Sequence, residues 1–186
     1  MRYDKLTLKA QESIQEAESL AHEYSNSSID PEHLFMALLK QKDGVVAPLL
    51  GKLGVPFGEL VDETANLLQA KPKVYGAGSQ IVLSPATTRV IHQAEQESSN
   101  LKDEYTSTEH IFLAINEVAS ETREILKRRG VRREEILSAL RTIRGNQRVT
   151  DQNPENKYQV LERYCRDLTA LARKEKLDPV IGRDEE

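Results

Sequence analysis

Between residues 8 and 21 the apolar side chains Leu8, Ile14, Ala17, Leu20 and Ala21 recur mostly at three- and four-residue spacings. This is the stripe of a half-buried helix, and it predicts one from about Asp4 to Tyr24. Asp30 then stands as an N-cap with Pro31 at the first helical position, and Leu34, Phe35, Leu38 and Leu39 carry a second helix. A third helix is predicted from about Val45 to Leu53, stopping at Gly54, where a left-handed cap residue suits glycine. Pro56 opens a fourth, with Leu60, Leu67 and Leu68 as its apolar positions. Alternating β-branched runs are missing, so the pattern reads as all-α.

The same order of elements then returns. Residues 6–38 laid over residues 83–115, an offset of 77, give 8 identities in 33 positions, among them Ile14 with Ile91, Glu32-His33 with Glu109-His110, and Phe35 with Phe112. The register resumes at an offset of 76, where Gly54-Val55 falls on Gly130-Val131. In the second copy Ser84 caps and Pro85 opens the first helix, Ser107 caps the second, Gly130 ends the third, and Val131 to Ile143 forms the fourth. The expected fold is therefore two pseudosymmetric four-helix repeats, residues 1–76 and 77–148, forming one domain, followed by residues 149–186. That last stretch starts as a polar linker, and Pro154 opens a helix to about Lys174 with Val160, Leu161, Tyr164, Leu168 and Leu171 on one side. Between the repeats lies Lys71 to Leu83, rich in Lys, Pro and Gly, yet ending in three consecutive apolar residues that need somewhere to pack.

Composition narrows the function classes. Of 186 residues, 30 are Asp or Glu and 26 Lys or Arg, giving a net charge of −4, and 38% are hydrophobic, enough for a core. No apolar run approaches the ~18 residues of a membrane span. The start, MRYDKLTLKAQ, turns polar too soon for an export signal, and the single Cys165 makes no internal disulfide, so a reducing cytoplasm is expected. His/Cys clusters with metal-ligand spacing, GxxxxGK[ST], GxSxG and HExxH are all absent, so neither a metal site nor an enzyme is expected. Residues 123–148 hold nine Lys or Arg against three acids, while residues 78–122 carry a net −5. Without interleaved aromatics the basic stretch reads as a solvated helix face rather than a nucleic-acid site.

The paired Glu32-His33-Leu34 and Glu109-His110-Ile111 motifs, one in each repeat, resemble the double Clp N-domain. Arg148 to Pro154, Arg166-Asp167-Leu168-Thr169 and the string from Leu177 to Glu186 are similar to the junction between the N-domain and first AAA+ module of ClpB-type disaggregases. The resemblance spans essentially the whole chain. It implies a stress-response chaperone whose full-length form is a hexamer using ATP and magnesium, working with the DnaK system on unfolded or aggregated proteins. It implies for this chain, taken as a monomer without cofactor, the role of substrate recognition. The alternative is the adaptor-docking N-domain of a ClpA- or ClpC-type protease unfoldase. Positions matching Val180 and Ile181 line the adenine pocket of the first ATPase module in the family, a site that this stretch alone holds only as a fragment.

A surface for unfolded chains must present apolar atoms beside polar ones. The candidates lie along an expected seam between the repeats: the chain start (Thr7, Leu8), the linker end (Ile81, Leu83), and the loop into the second helix of the second copy (Asp103, Tyr105, Glu109). In the family, the positions matching Thr7, Asp103 and Glu109 belong to the surface implicated in substrate handling. Against this, Thr7 is equally read as a helix cap, Glu109 as a first-turn acid favoured by the helix dipole, and Ile81 and Leu83 as core. His33 and His110 are read as structural, each bonded to a neighbouring loop. With no phosphate-binding loop, the chain is expected neither to bind nor to hydrolyse ATP; turnover in a contaminant-free preparation would overturn this.

Overall fold

A computed structural model describes residues 3–74, 81–145 and 147–154. The linker helix expected after Pro154, and with it Val180 and Ile181, lies outside the described residues. Within them the chain forms eight α-helices: α1 (Leu8–Glu23), α2 (Pro31–Lys40), α3 (Val46–Lys52), α4 (Phe57–Ala70), α5 (Pro85–Asn100), α6 (Thr108–Glu117), α7 (Glu121–Arg128) and α8 (Arg133–Arg144). Two short strands, β1 (Ser28–Ile29) and β2 (Val82–Leu83), complete it. The all-α reading holds, and the caps Asp30, Ser84 and Ser107 stand where the sequence puts them.

The repeat is visible in the backbone. Gly54 and Gly130 sit at φ 69° and 74° after α3 and α7, the left-handed region that glycine enters without steric cost. Ser25 and Lys102, one offset apart, take φ 56° and 59° after α1 and α5.

The two central helices are buried well beyond the apolar positions that their sequence spacing marks. Every residue from Pro31 to Leu39 in α2 and from Thr108 to Ile115 in α6 is buried. A helix buried on every side belongs at the centre of a fold, and both occupy it, the glutamates and histidines near their starts being hydrogen-bonded or ion-paired. The rings of Phe35 and Phe112, repeat equivalents, stack with centroids 6.1 Å apart and planes at 14°. The other helices pack around this pair, and one continuous hydrophobic core runs through both repeats.

The repeats also exchange edges. The end of the linker pairs in parallel with the loop before α2, Ser28 with Val82 and Ile29 with Leu83. Correspondingly the chain start pairs with the loop before α6, through a parallel bridge of Leu6 with Thr106. The Ser84 N–H donates to the Ile29 carbonyl at 3.0 Å, and the Thr7 N–H to the Thr106 carbonyl at the same 3.0 Å. This pairing explains why α1 begins at Leu8 and not near Asp4: Leu6 is engaged across the repeats, and Thr7 caps the helix by accepting from the Ala10 N–H at 3.2 Å. Leu8, expected in the buried stripe, is 45% exposed. The three apolar residues at the linker end find their place here. Ile81 and Leu83 pack partly buried against the core, and Val82 faces outward.

The stretch after α8, expected as a polar linker, is pinned to the domain. Val149 is fully buried, its carbonyl accepts from the Glu104 N–H at 2.9 Å, and the Gln152 carbonyl accepts from the Leu8 N–H at 2.8 Å. Because α2 and α6 share one core, Phe112→Ala should cost ~3–5 kcal/mol and leave a single unfolding transition in urea followed by circular dichroism. Two separated transitions would show that the repeats fold as independent units.

Candidate functional site

The motif shared by both repeats places a histidine at the third position of α2 and of α6, where its ring closes the helix start. Nδ1 of His33 accepts from the Asp30 N–H at 3.0 Å, and Nδ1 of His110 accepts from the Ser107 N–H at 2.9 Å. This is the job a Glu or Gln does in a capping box. With Nδ1 accepting, the proton sits on Nε2, which donates to Asn26 Oδ1 at 2.9 Å in the first repeat and to Asp103 Oδ2 at 3.0 Å in the second. Both rings are fully buried, each bonded to the preceding loop, as expected of structural histidines.

Asn26 and Asp103 are one offset apart, and here the repeats diverge. The Asn26 amide donates to the Pro72 carbonyl at 3.3 Å. Asp103, a carboxylate, receives Nη2 of Arg144 at 2.7 Å on both oxygens, and the Val149 N–H at 2.9 Å. Arg144 also reaches Glu109 Oε1 through Nη1 at 3.4 Å, so one guanidinium bridges both acids. In the first repeat Lys71 bridges Asp30 at 3.2 Å and Glu32 at 2.9 Å, and Glu32 Oε1 also accepts from the N–H and hydroxyl of Thr122.

These contacts correct the sequence-based picture in two respects. Asp103 and Glu109 are not exposed acids at the rim of a groove; both side chains are fully buried, and both share the one guanidinium of Arg144, Asp103 more closely than Glu109. Thr7 is buried as well, between its capping bond and its bridge to Thr106. Nor does a single seam collect all the candidates. Thr7, Leu8, Asp103, Tyr105 and Glu109 gather around the Leu6–Thr106 bridge, whereas Ile81 and Leu83 lie on the equivalent edge beside Ile29. The first edge presents apolar side chains to solvent among polar ones: Leu8 and Tyr3, 54% exposed, stand with the exposed Asp4, Lys5 and Glu104, and Tyr105 is half-buried under the Lys5 ammonium at 5.5 Å. Among the described residues no group of three or more His, Cys, Asp or Glu could hold a metal, and no helix is long and apolar enough to cross a membrane.

The sequence and the fold have counterparts among known proteins. Residues 5–129 match the profile of the Clp repeat (R) N-terminal domain. The chain belongs to the Clp N-terminal domain family. It is 44% identical over 182 residues to the chaperone protein ClpB of Bdellovibrio bacteriovorus and 38% identical over 189 residues to that of Bacillus cereus, covering 97% and 100% of this chain. It spans only 21% and 22% of those relatives' lengths. The matched region is the N-terminal domain and carries no ATPase module. Among solved structures, the Hsp104 N-terminal domain from Candida albicans superposes with a TM-score of 0.72 at 23% identity, covering 81% of this chain and 99% of that one. A ClpV N-domain in complex with a VipB peptide does so at 0.55 and 23%, covering 73% of this chain and 89% of that one. At these identities the structural matches establish the fold alone.

In this Clp N-domain the network residues Asn26, Glu32, Lys71, Arg144 and Val149 were not among the expected site residues. The offset that pairs Glu109 with Glu32 and Asp103 with Asn26 could have found two of them. Nothing in the sequence marks Arg144 among its basic neighbours.

The buried groups set the domain's pH response. Burial pushes His33 below its ordinary 6.5, outweighing Asp30 and Glu32, which pull upward. Burial would raise the Asp103 carboxyl, but His110, Arg144 and the Val149 amide together hold it below the usual 3.8. Burial likewise acts to lower Lys71, and Glu32 with Asp30 more than offsets it, leaving the ammonium above 10.5. Below pH 6.5 the unfolded chain protonates His33 before the folded domain does, so its contribution is lost as pH falls from 6.5 towards the folded value. The depressed Asp103 contributes stability above pH 3.8 that is lost as pH falls through its folded value. Thermal melts should therefore show a midpoint that drops as pH falls below 6.5. His33→Gln, whose amide oxygen can keep the Asp30 N–H bond, should flatten that segment; a slope unchanged in the variant would show that another group titrates.

Proposed function

We propose that this chain captures unfolded or aggregated polypeptide for a disaggregase, using the edge around the Leu6–Thr106 bridge. The observation that supports this most is the exposure of Leu8 and Tyr3 on the segment that pairs with Thr106, next to the half-buried Tyr105 in sequence, with the buried Arg144 network behind the loop before α6. An extended ligand with apolar side chains needs such a surface. In this reading Leu8 and Tyr105 touch substrate, while Thr7, Asp103 and Glu109 act as positioning residues behind them. Ile81 and Leu83 support the equivalent edge, where the outward Val82 supplies the apolar contact. The ClpV N-domain complex, in which a related fold is bound to a peptide, is compatible with this use.

In the full-length protein the reading extends to a cytoplasmic hexamer that draws on ATP and magnesium and cooperates with the DnaK chaperone system. Residues 1–148 would form the capture domain, and residues 149–186 would lead into the ATPase portion, with Val180 and Ile181 reaching its nucleotide.

Titration of the chain with a labelled, permanently unfolded polypeptide should give a micromolar-range Kd, corresponding to about −8 kcal/mol. Leu8→Ser should weaken it by ~1–2 kcal/mol, the transfer free energy of one partly exposed side chain, with the fold intact by circular dichroism. A folded Leu8→Ser chain that binds as the parent does would remove this edge from consideration. Binding of a folded Clp adaptor with no binding of the unfolded chain would favour the adaptor-docking role.

A further inference from the structure

The basic stretch that closes the second repeat is not a uniform solvated face. Arg128 and Arg129 pair with Glu63 and Glu59, Arg133 with Glu97 and Glu117, and Arg144 with Asp103 and Glu109. Arg141 and Arg148 are exposed and have no carboxylate partner among the described residues. They line a cleft of about 410 Å³ between the end of α5 and the last turns of α8. Its walls include Leu101, Leu137 and Leu140, and the spacing of Leu137, Leu140, Arg141 and Arg144 puts them along one face of α8. Leu101 and Leu137 are only half-buried, so the cleft offers apolar surface directly beneath unneutralised guanidinium groups.

We propose that this cleft is a second binding site, for an acidic protein segment that inserts an apolar side chain between carboxylates. Leu101, Leu137 and Leu140 take the apolar side chain, and Arg141 and Arg148 pair with the flanking acids, bidentately where geometry allows. Among the described residues that line the cleft there is no aromatic ring on which a base could stack, which disfavours single-stranded nucleic acid. The site is separate from the Leu8 edge and does not depend on that edge capturing unfolded chains.

The test uses the complete chain and a short fluorescein-labelled peptide with a central Leu-Phe pair flanked by glutamates, against the same peptide with lysines in their place. Anisotropy should show the acidic peptide binding at least about tenfold tighter than the lysine control, with affinity falling as salt rises. The double variant Arg141→Glu/Arg148→Glu should weaken the acidic peptide by about tenfold or more while leaving the unfolded polypeptide's affinity unchanged; Leu8→Ser should do the reverse. Amide shifts in a peptide-titrated NMR spectrum should centre on Leu101 and Leu137. Equal binding of the two peptides, an unchanged affinity in the folded double variant, or shifts centred on Leu8 and Tyr105 would each overturn the proposal.

Discussion

The contact of α2 with α6 is the constraint on which the rest of the domain depends. Each helix is buried on every side, so neither repeat can satisfy its central helix alone. Joining the two copies through Phe35 and Phe112 gives each helix the partner it lacks. The exchanged edges follow from this. With α2 and α6 side by side, the strand-like segment that leads into each repeat pairs with the loop before the other repeat's central helix. A histidine at the third position of each helix then closes helix start and loop together, in a place where water cannot serve either group.

The divergence between the copies is as informative as their likeness. Where the first repeat has Asn26, a neutral amide that bonds the Pro72 carbonyl, the second has Asp103, a carboxylate that needs a cation. Arg144 from the end of α8 supplies it, and Asp103 then takes the Val149 amide as well. One substitution of charge thus ties the end of α8, the following stretch and the loop before α6 into a single unit. Through the Gln152 carbonyl on the Leu8 N–H, the same stretch reaches the start of α1. The exposed apolar edge is therefore backed by buried charge, which lets a few apolar side chains stand in water on a rigid frame.

Much of the fold was legible in the sequence because it rests on local rules that the repeat states twice. Caps at Asp30, Ser84 and Ser107, prolines at helix starts, glycines after α3 and α7, and apolar spacing all report on the nearest few residues. The Glu-His motif carried the family assignment for a similar reason, since a helix start capped by histidine leaves a short sequence signature. Burial of Leu60 and Leu68, and the exit of α1 at Glu23, needed nothing more.

The candidate site was legible only as a set of names. Sequence alone singled out Thr7, Leu8, Asp103, Tyr105 and Glu109 as candidates, and read two repeats along the chain. Tertiary structure decided where each one sits: Leu8 faces out because Thr7 ends the strand pairing and starts the helix, and Asp103 and Glu109 face in, where Arg144, more than thirty residues away along the chain, pairs with both. Helical spacing assigned Leu8 to the core, and the resemblance placed the two acids on a binding surface; pairing across the repeats reversed the first, and the arrival of Arg144 the second. The physical reason is range. A cap or a turn is settled by neighbours in the chain, whereas the burial of a charge depends on whether a distant partner arrives to offset its loss of water.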